Sequence, residues 1–178
     1  MRRVVVTGTG AVTACGLGAE RLWTAARDGV AAARTIEFPE NPRQMIKRAA
    51  TLAPEDMEAI RAAGFATVID NRPDGEIPPD LHAGVMAAAA RAAGLRFVAN
   101  PVVGGAISDA NVALQREVLD AADGPVFAYC ASGNRCSIVW AMANSGRQPT
   151  DALIEAAARW GYNLEPYRAR IDGFAGTR

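Results

Sequence analysis

The chain has 178 residues, 50% of them hydrophobic, and 19 basic side chains balance 19 acidic ones to a net charge of zero. This is enough apolar material for one packed domain with an appended segment, and the basic residues are spread along the chain rather than striped, which argues against a nucleic-acid partner. Three cysteines (Cys15, Cys130, Cys136) and one histidine (His82) exclude a disulfide framework and disfavour a four-ligand zinc site, and no apolar run reaches the length of a membrane span.

In chain order, "RVVVTG" reads as a buried strand ended by glycines, and Ala19 to Arg27, with Leu22, Trp23 and Ala26, as a short helix. The prolines and asparagine of "FPENPRQ" mark a linker. "VTAC" loosely imitates a lipoprotein signal, but the apolar stretch before it is broken by Gly8 and Gly10. A reduced, cytoplasmic setting is therefore expected. The abundance of alanine, and of arginine over the single Lys47, points to a GC-rich bacterial genome.

From Pro54 the pattern is regular. Pro54 to Ala63 predicts a helix with proline in its first turn, "FATVID" a strand, and "NRPDGEIPP" a turn. A helix over His82 to Ala93 and a strand within "LRFVANPVV" follow, then the loop "GGAIS" and a helix over Asp109 to Ala122 that Ser108 can cap. "GPVFAYC" predicts the third strand of this region, nearly all apolar as a central strand should be. Helices over Cys136 to Asn144 and Thr150 to Trp160 complete the order. Strands alternating with helices give an α/β fold with a mostly parallel sheet flanked by helices. The loop after "PVFAY" lies at the carboxyl end of its strand, where open sheets of this kind hold ligands.

That loop is "YCASGNRCS". Between a strand and a helix, the amides of Ala131, Ser132, Gly133 and Asn134 converge on one concavity, and the helix dipole adds positive charge there. Arg135 supplies a guanidinium fork suited to tetrahedral oxyanions. Cys130 stands at the base of this cup, so its thiolate is expected to dominate near neutral pH and to act as the nucleophile on an anion held above it.

Residues from about Thr51 to Phe174 resemble the phosphatase-like domain family of beta-lactamase-hydrolase-like proteins. The matching stretches are "LAPEDMEAIRAAGFATVIDNRPDGE", "PVVGGAISDANV", "VFAYCASGNRCSIVWA" and "AARWGYNLEPYRARI". The resemblance implies a fold similar to the dual-specificity, Cys-based phosphatases, with Cys130 as nucleophile and Arg135 as anion clamp. Some members are described as phosphatases, others as sulfur transferases. Four residues separate Cys130 from Arg135. Protein tyrosine phosphatases commonly hold one more, and the loop looks much like the "CxxGxRS" of rhodaneses. Sulfur transfer through a Cys130 persulfide is thus the expected activity. Phosphate hydrolysis through a Cys130 thiophosphate is the alternative, and an anion-binding module without turnover a third reading.

Hydrolysis also needs a proton donor for the leaving oxygen. Asp109 follows "VVGGAIS", near where related phosphatases place theirs, although a carboxylate there also suits a helix first turn. Asp74, in "RPDG", is the other acid and fits a plain turn. His82 reads as a packing or surface residue. Asn71 and Arg72 can line the cleft or cap the turn. Cys136 stands where the family usually has serine. It is a packed helix residue, or a resolving thiol that pairs with Cys130 or accepts its sulfur. The expected partner is a small anion, a sulfane-sulfur donor or a phosphate ester. Neither metal nor cofactor is expected, and oligomeric state is left open.

The start of the chain tempts a dinucleotide-binding reading, but Thr13 follows Gly8 and Gly10 where G-x-G-x-x-G needs its third glycine. "RRVVVTGTGAVTACGLGAERLWTAARDGVAAARTIEFP" is instead similar to the start of beta-ketoacyl-acyl-carrier-protein synthases. The chain contains no equivalent of that family's nucleophile and paired histidines. The expected division is a non-catalytic fragment over residues 1–50 and the phosphatase-like domain over 51–178.

Overall fold

The computed structural model describes residues 52–176. It also gives four two-residue strands before them, Val12–Thr13 paired with Gly16–Leu17 and Arg34–Thr35 with Arg48–Ala49. The strand expected at "RVVVTG", the helix at Ala19 to Arg27 and the synthase-like segment otherwise lie outside the described residues.

Three strands, β1 (Thr67–Asp70), β2 (Arg96–Ala99) and β3 (Val126–Tyr129), form a parallel sheet in the order β2-β1-β3. Thr67 pairs with Arg96 on one side and Val126 on the other. Parallel neighbours need crossovers, and helices supply them: α1 (Asp56–Ala62) precedes β1, α2 (Ala83–Ala92) joins β1 to β2, and α3 (Asp109–Asp120) joins β2 to β3. After β3 come α4 (Asn134–Ala143), α5 (Thr150–Ala158) and α6 (Arg168–Gly173).

The core has two parts. Met57 and Ile60 of α1, Met86 and Ala90 of α2, Val68 and Leu95 form one, extended by Phe65, Phe97, Phe127 and Tyr129. Phe127 meets Phe65 edge-on at 5.5 Å and lies near-parallel to Tyr129. The other contains Val112, the buried face of α4 from Ile138 to Ala143, Leu153, Leu164 and Ile171. Leu153 is fully buried there. Leu153→Ala is therefore expected to lower stability by ~2–5 kcal/mol, read as an earlier urea midpoint at unchanged slope; an unmoved midpoint would contradict this packing.

Three differences from the sequence expectation matter. "TVID", buried at all four positions, takes the centre of the sheet, whereas "VFAY" is only half-buried and lies at an edge among the described strands. Helix α4 begins at Asn134, so Arg135 belongs to its first turn rather than to the loop. Helix α6 had no signal, because six residues are too few to show a period. It is fixed by tertiary contacts: Ile171 is buried, the Ser145 hydroxyl donates to the Ile171 carbonyl, and the Thr150 hydroxyl donates to Asp172. Among the described residues no helix is long and apolar enough to cross a membrane.

Candidate active site

Strand β3 ends at Tyr129, and the chain turns over Cys130 to Gly133 into α4. The turn needs a left-handed residue, and Gly133 provides it at φ 85°. Space requires glycine as well, because a Cβ there would stand 2.2 Å from the Tyr162 hydroxyl. That hydroxyl donates to the Ser132 carbonyl at 2.9 Å and braces the loop from outside.

The turn aims donors at Cys130. The Gly133 amide donates to its Sγ at 3.1 Å, and the amides of Ser132 and Cys136 point the same way. The Cys136 thiol donates as well, and it is the strongest influence lowering the Cys130 pKa to about 5 against the opposing effect of burial. Cys136 is correspondingly pushed well above the usual thiol range, first because it donates to a thiolate and then by burial. One thiol is thus ionised and its neighbour protonated.

An amide chain fixes this pair from behind. Asn71 Nδ2 donates to Cys136 Sγ at 3.3 Å and to Gln115 Oε1 at 3.0 Å. Asn100 Nδ2 donates to Asn71 Oδ1 at 2.9 Å, and Asn111 Nδ2 to Asn100 Oδ1 at 2.8 Å. Asn111 also completes the capping box with Ser108 at the start of α3. Asn71, Asn100 and Gln115 are all buried, and a buried polar group is tolerated only when its hydrogen bonds are made. Asn71 lies directly after the central strand, which is how β1 comes to orient a side chain on α4.

Arg135 is clamped. Its Nη1 donates to Glu76 Oε1 at 2.8 Å and to the Val102 carbonyl at 2.6 Å, and its Nη2 donates to Glu76 Oε2 at 2.6 Å. The carboxylate holds the guanidinium charged, and the Cys130 thiolate, which it also contacts, adds to this. Arg72 is a second cation: its Nη2 donates to the Glu76 carbonyl at 3.2 Å and it feels the thiolate charge. Its backbone amide donates to the buried Asp70 at 2.8 Å.

The structure therefore brings Cys130, Ser132, Gly133, Arg135 and Cys136 together, with Ala131 and Asn134 exposed at the rim. It does not bring the acids to the thiolate. Asp109 has a side chain 87% exposed and stands 3.7 Å from Arg170, facing an open groove of about 720 Å³ whose lining includes Phe174 but no residue of the cysteine loop. Asp74 accepts the Ala83 amide at 2.7 Å at the start of α2, and the His82 ring contacts the Ile77 carbonyl. Sequence reasoning missed Glu76 and Tyr162. Glu76 sits in the quoted "RPDGE", but an acid after a turn is unmarked until its partner 59 residues away is known. Among the described residues no cluster of His, Cys, Asp and Glu could hold a metal ion.

The pKa of about 5 has a direct readout. Alkylation of Cys130 by iodoacetamide is expected to rise through pH 5 and level off by neutrality. A hydrogen bond to a charged group contributes ~1.5–3 kcal/mol, so Cys136→Ala should raise that midpoint by about one to two pH units. An unchanged midpoint would remove Cys136 from the site.

A cysteine at the base of an amide cup, between a parallel strand and a helix that carries the clamping arginine, defines a domain of the Cys-based phosphatase fold. Residues 43–147 match the family described as beta-lactamase hydrolase-like protein, phosphatase-like domain, and the chain belongs to that family. A beta-lactamase hydrolase-like protein of Agrobacterium fabrum is 33% identical over 61% of this chain and 26% of its own length. The chain thus spans about a quarter of the length of the curated relatives it matches. A crystal structure of a candidate phosphatase from Neisseria meningitidis is similar at 32% identity, with a TM-score of 0.57 over 71% of this chain and 92% of that one. A Cys-to-Ser form of P. aeruginosa TpbA in complex with pTyr shares the fold at 19% identity and a TM-score of 0.50, over 72% of this chain and 82% of that one.

Proposed function

We propose that the chain is a cysteine-dependent phosphatase acting on small phosphate esters, aryl phosphates among them. The observation that carries this reading is the ionised Cys130 under converging amides, with Arg135 held beside it by a two-point carboxylate clamp. The amides and the guanidinium bind the phosphoryl oxygens. The thiolate attacks phosphorus and the ester P–O bond breaks; because Asp109 faces away from the cup, the leaving oxygen takes its proton from water, which suits good leaving groups such as aryl oxides. Water then attacks the thiophosphate, orthophosphate departs, and Cys130 leaves as a thiolate stabilised by the Cys136 S–H and the Gly133 amide. Arg72 offsets the charge brought in by a dianionic substrate.

The family and its candidate phosphatase neighbour support hydrolysis over the sulfur transfer expected from the loop spacing. The phosphotyrosine seen in the TpbA complex suggests aryl phosphate as the first substrate to try. Sulfur transfer stays as a second reading because only four residues separate Cys130 from Arg135, a tight cup that suits a single sulfane sulfur. The two separate in one experiment, in which the protein meets p-nitrophenyl phosphate in one vessel and thiosulfate with cyanide in another. Release of p-nitrophenol without thiocyanate is expected. Thiocyanate, with one sulfur atom added to Cys130 and no phosphate released, would reverse the order.

A further inference from the structure

We infer that Tyr162 is a positioning residue for the cysteine loop: its hydroxyl fixes which way the Ser132–Gly133 peptide faces, and with it the amide turned toward Cys130 and the anion above it. The two hydrogen bonds that matter lie at opposite ends of that one peptide. Its carbonyl, on Ser132, accepts from the Tyr162 hydroxyl at 2.9 Å, and its amide, on Gly133, donates to Cys130 Sγ at 3.1 Å. The bond is trans, so C=O and N–H point in opposite directions from one rigid plane. Holding the oxygen on the outer side therefore holds the N–H on the inner side. A hydrogen bond accepted by the carbonyl also polarises the peptide and strengthens its N–H as a donor.

Gly133 alone does not make this choice. It can take φ 85°, but a residue without Cβ accepts the turned-over peptide almost as readily. Turned over, the Ser132 carbonyl would face the thiolate and repel both it and a phosphoryl oxygen. The next peptide has no such freedom, because the Ser137 amide and hydroxyl both donate to the Gly133 carbonyl, at 2.9 and 3.0 Å. Tyr162 is held firmly enough to decide the matter. It leaves the end of α5 through left-handed Gly161, its amide donates to the Ala157 carbonyl at 3.2 Å, and its ring packs on the core cluster that contains Leu153 and Leu164. Burial, and then the Cys130 charge, raise the pKa of its hydroxyl, so it keeps its proton and remains a donor at neutral pH. This assignment rests on the anion cup of the proposed phosphatase, yet thiol alkylation and phosphate binding judge it even if no ester is cleaved.

In the full chain, Tyr162→Phe removes the hydroxyl and keeps the ring. A neutral hydrogen bond is felt as roughly a 3- to 10-fold preference for one arrangement. The variant is therefore expected to bind inorganic phosphate about 3- to 10-fold more weakly at neutral pH. Its iodoacetamide midpoint, followed on the Cys130 peptide, should rise by about 0.5 to 1 pH unit, with an unchanged melting temperature. Tyr167→Phe, the same loss from a ring packed on the same core, should move neither. Unchanged phosphate affinity and midpoint in Tyr162→Phe, equal changes in Tyr167→Phe, or changes that only follow a fall in folded fraction would overturn the assignment.

Discussion

Replacing Cys130 with serine is expected to lower aryl phosphate hydrolysis by at least about 10⁴-fold, the scale on which loss of a covalent nucleophile is felt. Binding of inorganic phosphate should change little. The two effects separate because the anion is held by groups the substitution leaves alone: the converging amides, the start of α4, and Arg135. Serine keeps the shape of the cup, but a hydroxyl is not ionised at neutral pH, whereas the thiol is ionised above pH 5. The wild-type rate should accordingly climb as pH rises through about 5, because deprotonation creates the nucleophile, and should not depend further on this group at neutrality. Phosphate release by the serine variant at even a tenth of the parent rate would exclude Cys130 as nucleophile. Phosphate binding by both proteins, with turnover by neither, would identify an anion-binding module.

Glu76 should produce the second largest effect. Its carboxylate accepts from both terminal nitrogens of Arg135. A guanidinium has several rotatable bonds, and its usefulness to a phosphoryl group depends on where its fork points. Displacement of a catalytic group by ~1 Å costs roughly 10²-fold in rate. Glu76→Ala is therefore expected to lower kcat/KM by about that factor, with an increased apparent Kd for phosphate. Glu76→Gln, which retains one acceptor, should recover part of the loss. The Glu76 side chain is 37% exposed but that of Arg135 only 13%, so Glu76→Ala also leaves a buried guanidinium without its carboxylate and is expected to cost the fold some stability, which makes folded fraction the measurement to set beside activity. Equal losses of activity and folded fraction in Glu76→Ala would reduce the residue to a structural role.

The reading toward sulfur transfer rested on counting residues between Cys130 and Arg135. A count along the chain describes the loop only if both ends belong to it. In the structure Gly133 caps α4 and Arg135 lies in the first helical turn, so its reach follows from helix geometry and from the pull of Glu76. Cys136, which the sequence offers as a packed helix residue or a resolving thiol in the place of a serine, is likewise given its setting by a distant residue. What makes its weak S–H donor effective is Asn71, which accounts for the other side of its sulfur.

The alternation of apolar runs and turn residues from Pro54 onward determined the α/β class, the helices and strands around the site, and the loop that carries Cys130, because all are local properties of the backbone and its periodicity. The convergence of amides on one cysteine was legible for the same reason, since a glycine-bearing loop between strand and helix has few conformations. The central place of "TVID", the clamp of Arg135 by Glu76, the brace from Tyr162 and the amide chain from Ser108 to Cys136 were decided only by the tertiary structure. Each joins residues far apart in the chain. Such pairings are selected by burial and by the need to satisfy buried polar groups once the sheet has formed, and no local pattern encodes them.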